Sequence, residues 1–328
     1  MTVNEIFEMF LDEVSVLQGV IYIAVQILKP HPANRVDVDF QEKILSEIEM
    51  LDGAFHVDDV RIEYKSLRNV KKYDYITKRL TPKRHDYNRI FVFQMSISDV
   101  RHLIERYGLI DTRDYLHVFV YALAYALGVY CDGVFDVDES VICYGDVYES
   151  VDRLVNSFSH LYEKDGRLYN TPTEISLQRT LDWFLSIDDV LETCGRSALG
   201  KSLSIYSRMF SSTPLEDELF MGGLLSVMAL EALFESHGRR ADLVERVAMF
   251  LGVDKKKCKE DIDAIYHHRS SVAHGGFVLP FKFYIHDGTK EFENAFDKTQ
   301  SSFDVGLHYL LGSYRKMIIQ NKKELTFV

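Results

Sequence analysis

The segment YHHRSSVAHGG, residues 266–276, carries an arginine and a histidine five positions apart, Arg269 and His274. The preceding residues have helical periodicity, and a glycine pair stops helices, so a helix is predicted to end at His274. A guanidinium can hold a phosphate, while an imidazole titrates near neutral pH and can move a proton beside it. These two groups are the minimum for RNA cleavage without a metal.

The spacing alone is weakly specific, because an arginine followed five to seven positions later by a histidine occurs three times in the chain. The local pattern distinguishes this occurrence. With about 100° of turn per residue, Arg269 lies within one apolar stripe with Ile262, Ile265, Tyr266, Val272 and Ala273. His267, Ser270 and His274 fall together on one flank. A guanidinium on such a face requires an anionic partner.

Two interpretations remain open at this point. In the first, Arg269 is structural and pairs with a carboxylate such as Glu231, while His274 only caps the helix end, where the helix dipole favours it. In the second, Arg269 binds a scissile phosphate and His274 transfers protons. Accessibility of His274 beside Arg269 at a two-fold interface would favour the second interpretation.

Three segments, 228–234 (MALEALF), 243–251 and 265–275, resemble in order and spacing the Apea-like branch of the HEPN superfamily. Members of this branch typically show a Leu-Glu-x-Leu helix, a short amphipathic helix, and a helix end of the form Tyr-x-x-Arg-Ser…His-Gly. The resemblance covers roughly residues 175–320.

This resemblance implies a helical bundle that dimerises and brings two Arg–His pairs into one composite cleft. Active relatives are metal-independent endoribonucleases of defence, toxin or RNA-processing systems and need no cofactor. A ribose 2′-hydroxyl attacks the adjacent phosphorus and leaves a 2′,3′-cyclic phosphate and a 5′-hydroxyl. Other members of the superfamily have lost catalysis and act as dimerisation modules or bind RNA or nucleotides.

Each residue that matches a functional position of the family is expected to have the corresponding role. Arg269 and His274 match the motif arginine and histidine, Ser270 the polar position after the arginine, and Glu231 the helix acid that is expected to pair with or orient Arg269. His267 and Tyr266 are candidates to assist, and the alternative for His267 is a solvent-exposed side chain without a role in catalysis. The sequence leaves open which RNA is cut and whether a regulatory protein partner restrains the enzyme.

A basic tract at residues 65–89 has nine basic and two acidic residues, in a chain whose net charge is -12. Three tyrosines are interleaved with the basic residues. Positive charge follows a phosphate backbone and aromatic rings stack on unpaired bases, which predicts an RNA-docking surface. A loop or strand pair with solvated lysines is the alternative. The predicted RNA-binding residues are Lys71, Lys72, Lys78, Arg79, Lys83 and Arg84.

Composition limits the remaining classes of protein. The net charge of -12 argues against indiscriminate binding to nucleic acid or to membranes. The four cysteines are scattered without a Cys-x-x-Cys pair, which suits a reducing cytoplasm and indicates no metal site. The N-terminus has no basic segment typical of a signal peptide. The apolar run at residues 115–131 contains a histidine and is short for a bilayer span, so a buried core helix is predicted.

The chain is therefore predicted to have an α+β architecture with two domains. Residues 1–168 alternate strand and helix signals and are assigned to an α/β domain of unidentified fold, with a role in RNA binding or sensing. Within it, Ser98 is predicted to cap a helix that ends at Gly108, and a second helix is predicted to follow from Asp111. Residues 169–328 show long helical periodicity and are assigned to an all-α bundle.

Overall fold

The computed structural model of the protein describes residues 20–28, 38–57, 59–68, 88–131, 135–144, 147–151, 155–156, 175–188, 195–211, 216–274, 276 and 290–327. Within these ranges the chain divides into two units. The first contains a β-sheet with helices, and the second is built mainly of helices. The predicted α+β class is confirmed at this level.

The sheet of the first unit has six strands in the order β2-β3-β4-β1-β5-β6. Every neighbouring pair is antiparallel. The label α/β for this half therefore needs a correction, because crossover helices between parallel strands define that class. The strands are β1 (Val20–Leu28), β2 (Asp52–Val57), β3 (Val60–Leu67), β4 (Asn88–Ile97), β5 (Asp136–Tyr144) and β6 (Val147–Val151), and a two-residue strand β7 (Val155–Asn156) follows them.

Side-chain alternation explains where these strands lie in the sheet. In β3, Val60, Ile62 and Tyr64 are buried while the charged residues between them are exposed, as the sequence pattern predicted. Strand β1 is apolar almost throughout, which is typical of a strand buried on both faces. On one face, β1 contributes Ile23 to the main core. On the other it contributes Ala24 to a smaller buried cluster with Val92, Val141 and Cys143.

One long helix, α2 (Val100–Tyr130), packs against the sheet. Its Phe119 ring is buried 5.0 Å from the Tyr64 ring and 5.2 Å from the Phe93 ring, measured between centroids. The apolar run at residues 115–131 is therefore part of the core. None of the helices in the described ranges is both long and apolar enough to cross a lipid bilayer.

The predicted break in this region is wrong, because α2 continues through Gly108 and Asp111 without interruption. A glycine inside a helix costs only about 1 kcal/mol relative to alanine, which the packing of a long helix can offset. The N-cap is Asp99, whose carboxylate accepts the His102 N–H at 2.9 Å, and Ser98 instead accepts the Arg61 N–H at 3.1 Å.

Helices α1 (Val38–Glu49) and α3 (Leu177–Leu185) complete the described part of the first unit. Residues 175–188 belong to this unit, although the predicted boundary at 168 assigned them to the helical half. The reason is a set of side-chain contacts. The Glu47 carboxylate accepts the Leu177 N–H at 3.0 Å at the start of α3, and the Tyr130 hydroxyl donates to the same carboxylate at 2.9 Å.

A second polar cluster joins α3 to the sheet. The Tyr64 hydroxyl donates to Asp182 Oδ1 at 2.7 Å, and the Gln178 side-chain amide donates to both groups. Burial and the Asp182 carboxylate raise the pKa of Tyr64 far above its usual value, so this phenol stays protonated as a donor. Gln178 also accepts the Asp52 N–H at 3.0 Å.

The second unit contains five described helices. Small residues allow the helices at residues 216–233 and 290–320 to approach closely. A Cβ on Gly222 would meet the Phe303 ring at 2.6 Å, and one on Gly306 would meet the Ser226 hydroxyl. A buried Tyr314 shares a hydrogen bond of 2.7 Å with Ser202, which donates to the Ala229 carbonyl. The helices are α4 (Ala198–Ser207), α5 (Glu216–Leu233), α6 (Arg240–Leu251), α7 (Lys255–Ala273) and α8 (Lys290–Gln320), with a short strand β8 (Phe210–Ser211) after α4.

The contact between Tyr64 and Asp182 can be tested by a double-mutant cycle. Tyr64→Phe removes a hydrogen bond to a carboxylate and should lower the free energy of unfolding by about 1.5 kcal/mol. Urea denaturation of Tyr64→Phe, Asp182→Ala and the double variant should give a double-variant loss smaller than the sum of the single losses. Strict additivity of the two losses would show that the contact does not stabilise the fold.

Candidate functional site

Helix α7 carries the Arg–His segment. Asp254 caps its start by accepting the Lys257 N–H at 2.7 Å. Lys257 and Lys259 pair with Asp261 and Asp263 one turn later, and the lysine side chains are exposed. This lysine cluster is thus a solvated, ion-paired helix start. Cys258, Ile262 and Ile265 are buried and anchor the helix in the bundle.

A cluster of three side chains joins α7 to α5. The Tyr266 hydroxyl donates to Glu231 Oε1 at 2.5 Å, and Arg269 Nη1 donates to the same oxygen at 3.2 Å. The Arg269 guanidinium also lies 5.5 Å from the centre of the Tyr266 ring. The side chain of Glu231 is 13% exposed and that of Arg269 is 33% exposed. The pairing of Glu231 with Arg269 is therefore present, as the structural interpretation predicted and as the resemblance also implied.

In this cluster, Tyr266 and Arg269 share the carboxylate of Glu231. Burial, together with the Glu231 carboxylate, raises the pKa of Tyr266 far above its usual value, so the phenol remains a donor. A partly buried carboxylate that accepts two donors through one oxygen holds both donors in place. Arg269 is thereby oriented by a carboxylate and a ring, while a third of its surface stays open to solvent. An oriented, accessible guanidinium can bind a phosphate.

His274 lies just beyond α7, as its C-terminal cap and not as its last helical residue. Its backbone N–H donates to the Ser270 carbonyl at 3.0 Å, and its side chain is exposed, like those of His267 and Ser270. Along a helix, a separation of five positions corresponds to a rotation of about 140° around the axis. The side chains of Arg269 and His274 therefore start from different sides of the helix end. A single chain therefore presents the two groups on different surfaces.

Only the two ends of the predicted RNA-binding tract lie within the described residues. Lys71, Lys72, Lys78, Arg79, Lys83 and Arg84 lie outside the described residues. At the edges of the tract, Lys65 lies 3.4 Å from Asp52, and Arg89 lies 3.4 Å from Glu42. These two basic side chains are thus at exposed positions and are partly neutralised by carboxylates.

Between α7 and α8 lies a cavity of about 660 Å³, which the sequence did not predict. Helical spacing places one face of α7 along this cavity, and α8 supplies the opposite wall. The separate segments give no signal for it, because the cavity forms only when the two helices pack together. The lining residues are Asp261, Ala264, Ile265, His267, His268, Ser271, Gly276, Asp297, Lys298, Ser301, Ser302 and Val305.

His268 is the most deeply placed ionisable group of this cavity, with 8% of its surface exposed. Burial, and secondarily the neighbouring His267, lowers its pKa below the usual value. The imidazole is therefore neutral at pH 7, where it offers one donor and one acceptor.

No protein-family model matches the chain, and the curated proteins and solved structures compared with it contain no match either. Within the described ranges, no three His, Cys, Asp or Glu side chains are grouped as metal ligands. The geometry of α5, α7 and α8 therefore provides the basis for assigning chemistry to the site.

The contribution of Glu231 to stability can be measured directly. Glu231→Ala should leave Tyr266 and Arg269 without their common acceptor and lower the free energy of unfolding by about 2 kcal/mol. Glu231→Gln retains an acceptor for Tyr266 and should cost less. Urea denaturation provides the measurement, with the exposed Glu260→Gln as the matched control. Equal stability of Glu231→Ala and the control would contradict a structural role for the carboxylate.

The buried His268 predicts an acid-sensitive fold. Unfolded histidine has a pKa near about 6.5, and His268 has a lower one when folded, so between these values only the unfolded chain takes up the proton. The free energy of unfolding should therefore fall as the pH drops below about 6.5. In urea denaturation at pH 7.5 and 5.5, His268→Gln should show a smaller loss than wild type. An equal loss in both proteins would contradict the assignment.

Proposed function

We propose that the protein is a dimeric, metal-independent endoribonuclease of the HEPN type. The observation that carries the proposal is Arg269, which Glu231 and Tyr266 orient while a third of its side chain stays exposed. Because part of the guanidinium stays open to solvent, it can contact a phosphate while it remains paired with Glu231. The exposed His274 at the end of the same helix supplies the proton-transfer group.

The character of α5 supports the proposal of a second copy. Its inner face is buried in the bundle, yet its outer face is also apolar, with Leu224, Leu225 and Ala232 partly exposed and Met228 38% exposed. A helix that is apolar all round normally has both faces covered. Glu231 lies at the edge of this outer face, so Arg269 borders it. A two-fold contact through α5 would place two Arg269 side chains close to one shared interface.

A composite site would bring together Arg269 and His274, which leave a single chain on different sides. Arg269 of one protomer and His274 of the partner subunit would face a common groove. The histidine takes the proton of a ribose 2′-hydroxyl as that oxygen attacks phosphorus. Arg269 stabilises the negative charge on the phosphate oxygens. The 5′-oxygen leaves with a proton from an imidazolium, which gives a 2′,3′-cyclic phosphate and a 5′-hydroxyl. The resemblance further suggests a cytoplasmic role in defence or in a toxin system.

A second candidate function is a catalytically inactive HEPN-like module that dimerises or binds RNA or nucleotides. The observation in its favour is that Arg269 is already paired with Glu231 and that His274 leaves the helix on a different side. In this case the pair only stabilises α5 against α7. Mixed cellular RNA would then stay intact with wild-type protein.

The test is cleavage of single-stranded RNA in the presence of a chelator. His274→Ala should lower the rate by at least about 100-fold, as expected for loss of a general acid or base. The exposed His102→Ala in the first unit serves as the matched control and should keep the wild-type rate. DNA of the same sequence should resist, because it lacks the attacking hydroxyl.

Mixing two inactive variants tests the composite site. In a heterodimer of His274→Ala with Arg269→Ala, one of the two sites retains both groups, so mixing should restore activity to a fraction of the wild-type rate. Arg269→Lys replaces Arg269→Ala if urea denaturation shows the alanine variant to be unfolded. Failure of a proven heterodimer to regain activity would contradict a site shared between protomers. Equal cleavage by wild type and His274→Ala would remove the catalytic assignment.

A further inference from the structure

The cavity between α7 and α8 opens on the flank of α7 that carries His274. His267 and Ser271 line it, and both lie on that flank at helical spacing from His274. Gly276 lines the cavity two positions after His274. Arg269 lies on the opposite side of the helix, against α5. The cavity is therefore next to the proton-transfer group and separate from the phosphate-binding group of the same chain.

The walls of the cavity combine two kinds of surface. Ala264 and Ile265 of α7 and Val305 of α8 are apolar. Apolar side chains can lie against the face of a planar ring, and they contribute no hydrogen bond that would orient it. A ligand with flat apolar faces and polar edges fits such walls.

Two polar side chains of the cavity, Ser302 and His268, are buried. Ser302 has 7% of its surface exposed, and its hydroxyl has no hydrogen-bond partner among the described residues. The His268 ring lies beside it, because both side chains come within 3.5 Å of the position that a Cβ on Gly223 would occupy. A buried hydroxyl without a partner costs free energy that a ligand's polar edge can recover. The neutral imidazole of His268 adds a second polar group at the same depth.

The rim is charged. Lys298 is exposed and lines the entrance from α8, together with Asp297 and Ser301. An ammonium group at the rim can contact a phosphate that stays in solvent, while a carboxylate can accept the amino or imino N–H of a base. The volume of about 660 Å³ is in the usual range for pockets that bind small organic ligands.

We propose that this cavity binds one unpaired RNA base, whose ribose then lies beside His274. The inference rests on the proposed ribonuclease function and adds its substrate selection. Sequence-specific recognition of RNA commonly uses unpaired bases that are turned out of the strand and read along their edges. A base held between α7 and α8 selects the nucleotide next to the cut. The protein then cleaves single-stranded RNA with a base preference that this pocket sets.

Binding is measured with full-length protein and 2′-O-methyl RNA hexamers, which cannot undergo 2′-hydroxyl attack. An abasic nucleotide is placed at each position in turn. In wild type, one abasic position should weaken binding by about tenfold relative to the others, which corresponds to about 1.4 kcal/mol. Ser301→Trp fills the entrance and should make all positions equivalent. Asn294→Trp, at an exposed site of α8 outside the cavity, is the matched control and should retain the wild-type pattern.

Cleavage of a random single-stranded RNA library provides the second readout. Wild type and Asn294→Trp should show the same base bias beside the cut, and Ser301→Trp should lose it. A position-dependent abasic effect without any cleavage would leave the pocket standing and overturn the ribonuclease. Cleavage with equal abasic effects at all positions in wild type would leave the ribonuclease standing and overturn the pocket.

Discussion

A single carboxylate, that of Glu231, determines how α7 meets α5. It accepts a phenol and a guanidinium through one oxygen, and both donors belong to α7. Because a charged group beside an apolar helix needs such a partner, the carboxylate holds the rotation of α7 about its axis together with the buried Cys258, Ile262 and Ile265. The directions of the other side chains of α7 follow from this rotation. Arg269 borders α5, His268 faces α8, and His274 lies on the remaining flank.

This rotation gives α7 three surfaces with different chemistry. The side towards α5 has an oriented cation at the edge of an apolar helix face. The side towards α8 has a cavity with buried polar groups and apolar walls. The flank between them carries exposed histidine and serine. A dimeric ribonuclease would use all three surfaces, since it needs a phosphate ligand, a proton carrier and a contact with the substrate base.

The two units illustrate different reasons why boundaries are hard to read from a sequence. Helix α3 has the periodicity of the helical half, yet Glu47 and Tyr64 bind it to the sheet unit through contacts over more than 100 positions. Helix α2 runs through Gly108 because burial along the sheet exceeds the local cost of a glycine. In both cases contacts distant in sequence outweigh local propensity.

Some features of this protein were determined by its sequence alone, because they depend on neighbours within a few positions. These include the alternation of β3, the helical pattern of the second half, and the approximate helix end at His274. The pairing of Glu231 with Arg269 was expected as well, since a guanidinium on an apolar stripe requires an acid. Only the tertiary structure decided the antiparallel order of the sheet, the membership of α3 and the cavity beside His268. Each of these depends on which distant surfaces meet, and helix and strand periodicity contains no information about that choice.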